Sequence, residues 1–88
     1  MINKLISIVM DDYKDSAMLV DYAEEVKTAG HEDLAEYFAT RAKHRMSDAR
    51  EVERWIDNMG DSDKIHKAYK DYHDEQCERL KKRLDKIL

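Results

Sequence analysis

The sequence predicts an all-α protein in which three long antiparallel helices, joined by short glycine turns, form one helical bundle. Three observations carry this prediction: the 88 residues contain no proline, only two glycines, and 41% charged residues. Proline and glycine interrupt helices, so long helical segments avoid them and turns collect them. A chain of this length supports a single domain with one core, which we expect to include residues 1–88.

The first predicted helix covers residues 2–29. Its apolar or small residues recur at intervals of three and four, which places them on one face of a helix. Gly30 follows the last turn, where a residue in the left-handed conformation commonly ends a helix. The positions on this face are Ile2, Leu5, Val9, Tyr13, Ala17, Val20, Ala23 and Val26.

The second predicted helix covers residues 32–59. Glu32 and Asp33 lie in its first turn, where the helix dipole favours negative charge, and Gly60 repeats the turn signal. Arg45 interrupts an otherwise apolar stripe, and Trp55 lies beside that stripe. The stripe consists of Leu34, Phe38, Ala42, Arg45, Ala49, Val52, Ile56 and Met59.

The third predicted helix covers residues 62–87 and follows a capping residue, Asp61 or Ser62. Its apolar stripe is weaker than the other two, so we expect this helix to be the most solvated and to need a partner. The stripe consists of Ile65, Tyr69, Tyr72, Gln76, Leu80, Leu84 and Ile87. Four of these, Tyr69, Tyr72, Leu80 and Leu84, are candidate interface residues, since exposed aromatic side chains are enriched at interfaces.

Polar residues interrupt the first two helices at one height. A turn of a single glycine forces the helices of residues 1–59 to run antiparallel, so residues equally far from Gly30 lie level. Asp12 and Asp48 are each eighteen residues from Gly30, and Arg45 lies within a turn of Asp12. The sequence therefore predicts a buried polar triad formed by Asp12, Arg45 and Asp48.

The hairpin resembles that of ferritin-like proteins, namely rubrerythrins and small phage-type members. The resemblance spans residues 11–59 and lies in the segment AGHEDLAEYF at residues 29–38, followed by Arg41-Ala42, Asp48-Ala49 and Trp55-Ile56. It implies a di-iron site held by a glutamate of the first helix and a Glu-x-x-His motif of the second. Aligned on the glycine turn, these ligand positions hold Asp12, Arg45 and Asp48, so the di-iron ligands are not retained.

Two interpretations of Arg45 remain open at this point. In the first, its guanidinium takes the place of the metal cation and bonds to both facing carboxylates. In the second, Arg45 extends to solvent and Asp48 is exposed. A metal-binding alternative would use Asp12, His44 and Asp48 at the interface of a dimer. The first two interpretations predict no metal and no other cofactor.

His73 and Cys77 are the other residues with metal-ligand spacing, since positions four apart share a helix face. The sequence supplies no motif for the remaining ligands, so a solvated polar face is the favoured interpretation. As a nucleophile, Cys77 would lack a visible pocket and oxyanion donor. We therefore expect no catalytic residue and no enzyme activity.

Charge and composition limit the classes of partner. The net charge of −4 disfavours direct nucleic-acid binding, and the apolar first ten residues are too few to span a membrane. The lone Cys77 and the lack of a signal peptide favour a reducing, cytoplasmic setting.

Function is predicted as protein–protein binding without catalysis. The resemblance to phage-type proteins implies a phage or mobile-element inhibitor of a host nucleic-acid-handling or defence protein, for example an anti-CRISPR-like inhibitor. The alternative is a ferritin-like metal-binding protein that completes a four-helix bundle by dimerising. A third hypothesis is a structural or regulatory homo-oligomer, and a homodimer is compatible with all three.

Overall fold

The computed structural model of the chain describes residues 2–59 and 64–88, with side chains placed for 3–59 and 70–88, and these residues form three α-helices. Helix α1 spans Ile2–Thr28, α2 spans Glu32–Asn58 and α3 spans Lys64–Ile87. The predicted all-α bundle is therefore confirmed, with helix ends that differ from the predicted ones by about two residues at most. The caps predicted at Gly60 and at Asp61 or Ser62 lie outside the described residues.

Gly30 ends α1 as the sequence predicts. Its φ of 92° is in the left-handed region, which glycine adopts without the penalty of a Cβ atom. The backbone N–H of His31 donates to the carbonyl of Val26 at 2.8 Å, and that of Gly30 donates to Lys27 at 3.0 Å. These two bonds form a Schellman motif, which reverses the chain within two residues and sets α2 antiparallel to α1.

Helices α1 and α2 pack closely because small side chains line their interface. The hydroxyl of Ser16 donates a hydrogen bond of 2.9 Å to the main-chain carbonyl of Ala42, a contact that requires the two backbones to lie near each other. The distance between packed helices depends on the side chains between them, and alanine keeps it short. The fully buried alanines are Ala23, Ala35, Ala39, Ala42 and Ala49.

Helix α3 lies in the groove between α1 and α2, and charged side chains form ion pairs and hydrogen bonds from it to both helices. The guanidinium of Arg83 bonds to Asp21 and Glu24 of α1. Near the other end of α3, Lys70 Nζ donates to Asp57 Oδ2 of α2 at 2.8 Å. Lys27 of α1 donates to the main-chain carbonyl of residue 86 at 2.9 Å, which satisfies a carbonyl that the end of a helix leaves free.

The buried stripe of α2 differs from the predicted one. Leu34 and Met59 are exposed, so the prediction is wrong at these two positions, and Phe38, Arg45 and Val52 are half-buried. Because α2 packs against two helices, its buried face is centred between them, whereas the predicted stripe follows the edge turned away from α3. The residues that are buried are Ala35, Ala39, Ala42, Met46, Ala49, Glu53 and Ile56.

The buried stripe of α3 agrees with the predicted one at Leu80 and Leu84 and differs at Tyr72, which is exposed. Because Leu80 and Leu84 lie in the core, they are not available to a partner within this chain, and the interface prediction is wrong for these two residues. Tyr72 is exposed, as an interface residue would be, while the side chain of Tyr69 lies outside the described residues. The polar positions His73 and Cys77 complete the buried face of α3, for the reasons given next.

Candidate functional site

A cluster of polar side chains lies where the three helices meet, and we call it the junction cluster. Its centre is Arg50 of α2, whose Nη1 donates to Glu53 Oε2 at 2.9 Å and to Asp74 Oδ1 of α3 at 2.6 Å. Glu53 is only 4% exposed, so its charge depends on Arg50 for compensation. The members of the cluster are Tyr13, Arg50, Glu53, His73, Asp74 and Cys77.

The protonation of the cluster follows from burial and from the carboxylates. Burial lowers the pKa of Arg50, but hydrogen bonds to Asp74, Cys77 and Glu53 outweigh that effect and the pKa is raised. Burial, followed by the nearby charge of Glu53, raises the pKa of Tyr13. The hydroxyl of Tyr13 and Oε1 of Glu53 are both enclosed in the core. The cluster is therefore a protonated arginine balanced by carboxylates beside a neutral tyrosine.

His73 is buried against two tyrosine rings. Its imidazole stacks on Tyr13 of α1 at 4.8 Å between ring centroids with planes 21° apart, and Tyr72 meets it edge-on at 5.3 Å. Cys77, one turn later, is also buried. The predicted solvated face of His73 and Cys77 is thus wrong, because both side chains turn into the core.

His73 should make stability fall in mild acid. Burial lowers its pKa from 6.5, an effect that Arg50 reinforces and that Glu53 and Asp74 oppose. A histidine with a lowered folded-state pKa contributes stability that is complete above the unfolded pKa and is lost as pH falls towards the folded one. Each unit of lowering is worth about 1.4 kcal/mol. We expect urea unfolding to show this loss from pH 6.5 downwards.

The control for this prediction is the histidine of α2, His44. His73→Gln should flatten the pH dependence below 6.5, whereas His44→Gln, at an exposed position, should leave it unchanged. A pH profile of wild-type steepness in His73→Gln would contradict the assignment.

The predicted triad lies at the surface instead of the core. Arg45 Nη1 is 3.9 Å from Asp12 Oδ1, with the two side chains 41% and 14% exposed, and Asp48 is exposed. Burial, and then the charge of Asp48, raises the pKa of Asp12, while Arg45 lowers it. The structure therefore brings Asp12 and Arg45 together at the predicted height, and the prediction of a buried triad is wrong.

The alternative metal site is not assembled within a single chain. Across residues 3–59 and 70–88, no three histidine, cysteine, aspartate or glutamate side chains are placed to hold one metal ion. The set of Asp12, His44 and Asp48 is expected at a dimer interface, and its completion there by a second chain stays a prediction.

Asp12 and Arg45 belong to a broader surface on the side of α1 and α2 that faces away from α3. Arg50 bonds to α3, and at 100° per residue Arg41, Trp55 and Met59 lie roughly 140° to 180° further round α2. The same spacing from Tyr13 places Asp15 and Tyr22 on the opposite side of α1. We call this surface the hairpin face; it comprises Ile8, Asp12, Asp15, Tyr22, Leu34, Tyr37, Phe38, Arg41, Arg45, Asp48, Val52, Trp55 and Met59.

Aromatic rings form one end of the hairpin face. Tyr22 and Phe38 join the two helices with ring centroids 6.0 Å apart, and Tyr37 lies 5.7 Å from Phe38. Arg41 covers the ring of Tyr37 and donates to its hydroxyl at 3.1 Å. At the other end Trp55 is 61% exposed. The face thus has two apolar ends separated by the charged pair Arg45–Asp12.

Sequence reasoning missed the junction cluster, although part of its signal was present. Glu53 falls at intervals of four and three between Ala49 and Ile56, so its helical position marks it as inward-facing. Arg50 precedes it by three residues, which places the two on neighbouring positions of one face. Nothing in the spacing of α3 indicated that His73 and Asp74 would complete the cluster.

Comparisons with known proteins place no further constraint on the site. A scan against protein-family models found no match, and neither did searches of curated proteins and of solved structures. Within the described residues, no helix is both long and apolar enough to cross a membrane.

Proposed function

We propose that this protein is a non-enzymatic binding protein that acts by docking another protein on its hairpin face. The observation that carries the proposal is the two groups of large apolar side chains left open at the ends of that face. Exposed apolar patches mark interaction sites, and the energy of such sites concentrates in tyrosine, tryptophan and arginine. Those at least 42% exposed are Ile8, Tyr22, Leu34, Tyr37, Trp55 and Met59.

The hairpin is a suitable platform for such a site. The two helices keep a fixed distance and orientation, because alanines pack between them and Ser16 bonds to the carbonyl of Ala42. Side chains on rigid helices lose less freedom on binding than side chains on loops, which raises affinity for a given contact area. Arg45 and Asp12, in the middle of the face, add charges that can fix the orientation of a partner.

The identity of the partner is a further part of the proposal. A net charge of −4 supports a basic target, and a nucleic-acid-handling or defence protein of a host with a basic surface would be a target of this kind. An inhibitor encoded by a phage or mobile element fits that chemistry.

Replacing the aromatic anchors should abolish capture of the partner. We expect Tyr37→Ala combined with Trp55→Ala to weaken binding by at least about 30-fold, because a hot-spot residue contributes roughly 2 kcal/mol or more. Affinity capture from lysate of the source cell identifies the partner, and calorimetry with the purified partner then measures the dissociation constant. Tyr72→Ala is the matched control, since Tyr72 is 58% exposed but lies on α3. Unchanged binding by the double variant, or a loss caused by Tyr72→Ala alone, would refute the assignment of the face.

A further inference from the structure

We propose that a second copy of this chain occupies the hairpin face. The two copies form a two-fold dimer whose axis runs parallel to the helices, so that α1 of each copy lies across from α2 of the other. Four antiparallel helices then form the centre, and the two α3 helices lie outside. This inference rests on the proposed function, because it takes the hairpin face as a docking surface. The second copy covers that face in the free protein, and a basic partner of the proposed kind would have to displace it.

The first argument is the distribution of charge across the face. The α1 edge carries Asp12 and Asp15, whereas the α2 edge carries Arg41 and Arg45 at similar heights, followed by Asp48. Asp15 is half-buried and Arg45 is 41% exposed, so both are accessible from this side. One edge is acidic and the other largely basic, and such a surface is complementary to a copy of itself in which the edges are exchanged.

The second argument is the distance of each residue from the Gly30 turn, measured along the helices, which we call its height. These heights determine the direction of the two-fold axis. Asp15 and Arg45 are each fifteen residues from Gly30, so they lie level. A two-fold axis parallel to the helices keeps every residue at its own height and places Asp15 of one copy against Arg45 of the other. A two-fold axis perpendicular to the helices and centred at this height would place α1 on α1 and α2 on α2, with like charges opposed, which is unfavourable.

The apolar ends agree with the same axis. Because height is preserved, the rings of Tyr22 and Phe38 meet their counterparts at the Gly30 end. Trp55 lies near the height of Ile8, and both are exposed in the single chain. In the dimer, Trp55 of each copy covers Ile8 of the other. An 88-residue chain buries a limited share of its surface alone, and association commonly supplies the remainder.

The test is the oligomeric state of the full chain and of charge-reversed variants. By light scattering on a sizing column, wild type should have twice the chain mass of 10.5 kDa. Asp15→Lys and Arg45→Glu should each raise the dimer dissociation constant at least about tenfold, since each opposes like charges at two symmetric contacts. The double variant Asp15→Lys/Arg45→Glu should return to within about threefold of wild type, because both contacts are attractive again. Arg54→Glu, an equal charge reversal on α2 away from the face, should have no effect.

Results that differ from these expectations would overturn the inference. A wild type that is monomeric up to about 100 µM removes the dimer, and a double variant that does not recover removes the parallel axis. If the variants lose helicity, the test is NMR on a mixture of labelled and unlabelled wild type, which detects contacts between copies. The parallel axis predicts contacts of Tyr22 in one copy with Tyr37 in the other. Contacts of Tyr22 with Ile8 of the other copy would contradict this axis. A monomeric wild type whose partner capture still depends on Tyr37 and Trp55 would reject this inference while leaving the proposed function intact.

Discussion

Replacing Arg50 by methionine is expected to lower the free energy of unfolding by about 4 kcal/mol at pH 7, because it leaves the charge of buried Glu53 uncompensated. The substitution also removes the 2.6 Å bond from α2 to Asp74 of α3. Urea unfolding followed by circular dichroism measures the loss. Both effects fall on the contact between α3 and the hairpin, so α3 should lose protection from hydrogen exchange first.

Two further variants separate the buried charge from the general loss of an arginine. Arg54→Met, four residues later and 73% exposed, removes only a surface pair with Glu51 and should cost less than about 0.5 kcal/mol. Arg50→Met combined with Glu53→Met should recover most of the loss, since a buried ion pair can often be exchanged for apolar side chains. A double variant as unstable as Arg50→Met alone would show that the charge of Glu53 is not the cause.

Replacing Ala42 by leucine is expected to lower the free energy of unfolding by about 3 kcal/mol, which is the second large effect. Ala42 is completely buried, and its carbonyl accepts the Ser16 hydroxyl at 2.9 Å, so the space between α1 and α2 cannot admit a larger side chain without separating the helices. Separation would also break that hydrogen bond. Thermal and urea unfolding of the variant measure the change.

The control for the enlarged alanine lies two residues earlier. Thr40 is exposed on the same helix, and Thr40→Leu should stay within about 0.5 kcal/mol of wild type. An Ala42→Leu variant that loses less than about 1 kcal/mol would mean that the two helices separate at little cost, contrary to the packing described above.

The helices and the first turn could be predicted because their signals are local. The period of apolar residues in α1 and the single Gly30 between two long runs depend only on neighbouring positions. The height of Asp12 against Arg45 followed from the same turn, and the 3.9 Å contact confirms their proximity.

The orientation of α2 and α3 could not be obtained in this way. A period of 3.6 locates a stripe but does not state how many helices pack against it, and α2 has two neighbours. The position of Glu53 depends on Arg50 and on Asp74, twenty-one residues further along the chain, and no pattern within one helix encodes that partnership. His73 was misplaced for a related reason: its burial depends on the ring of Tyr13, sixty residues away.

The buried alanines between α1 and α2 hold the two helices at a fixed distance and orientation, so the spacing of side chains on the hairpin face is fixed as well. From Phe38 to Trp55 the rise of α2 sets a separation of about 26 Å between the aromatic end and the tryptophan end. Tyr37 and Trp55 are eighteen residues apart, which is five full turns, so both lie on one side of α2. Inserting one residue between them would rotate the distal end by about 100° and turn Trp55 away from the side of Tyr37. The length and phase of α2, and not only its composition, are therefore under constraint wherever a ligand must span both ends.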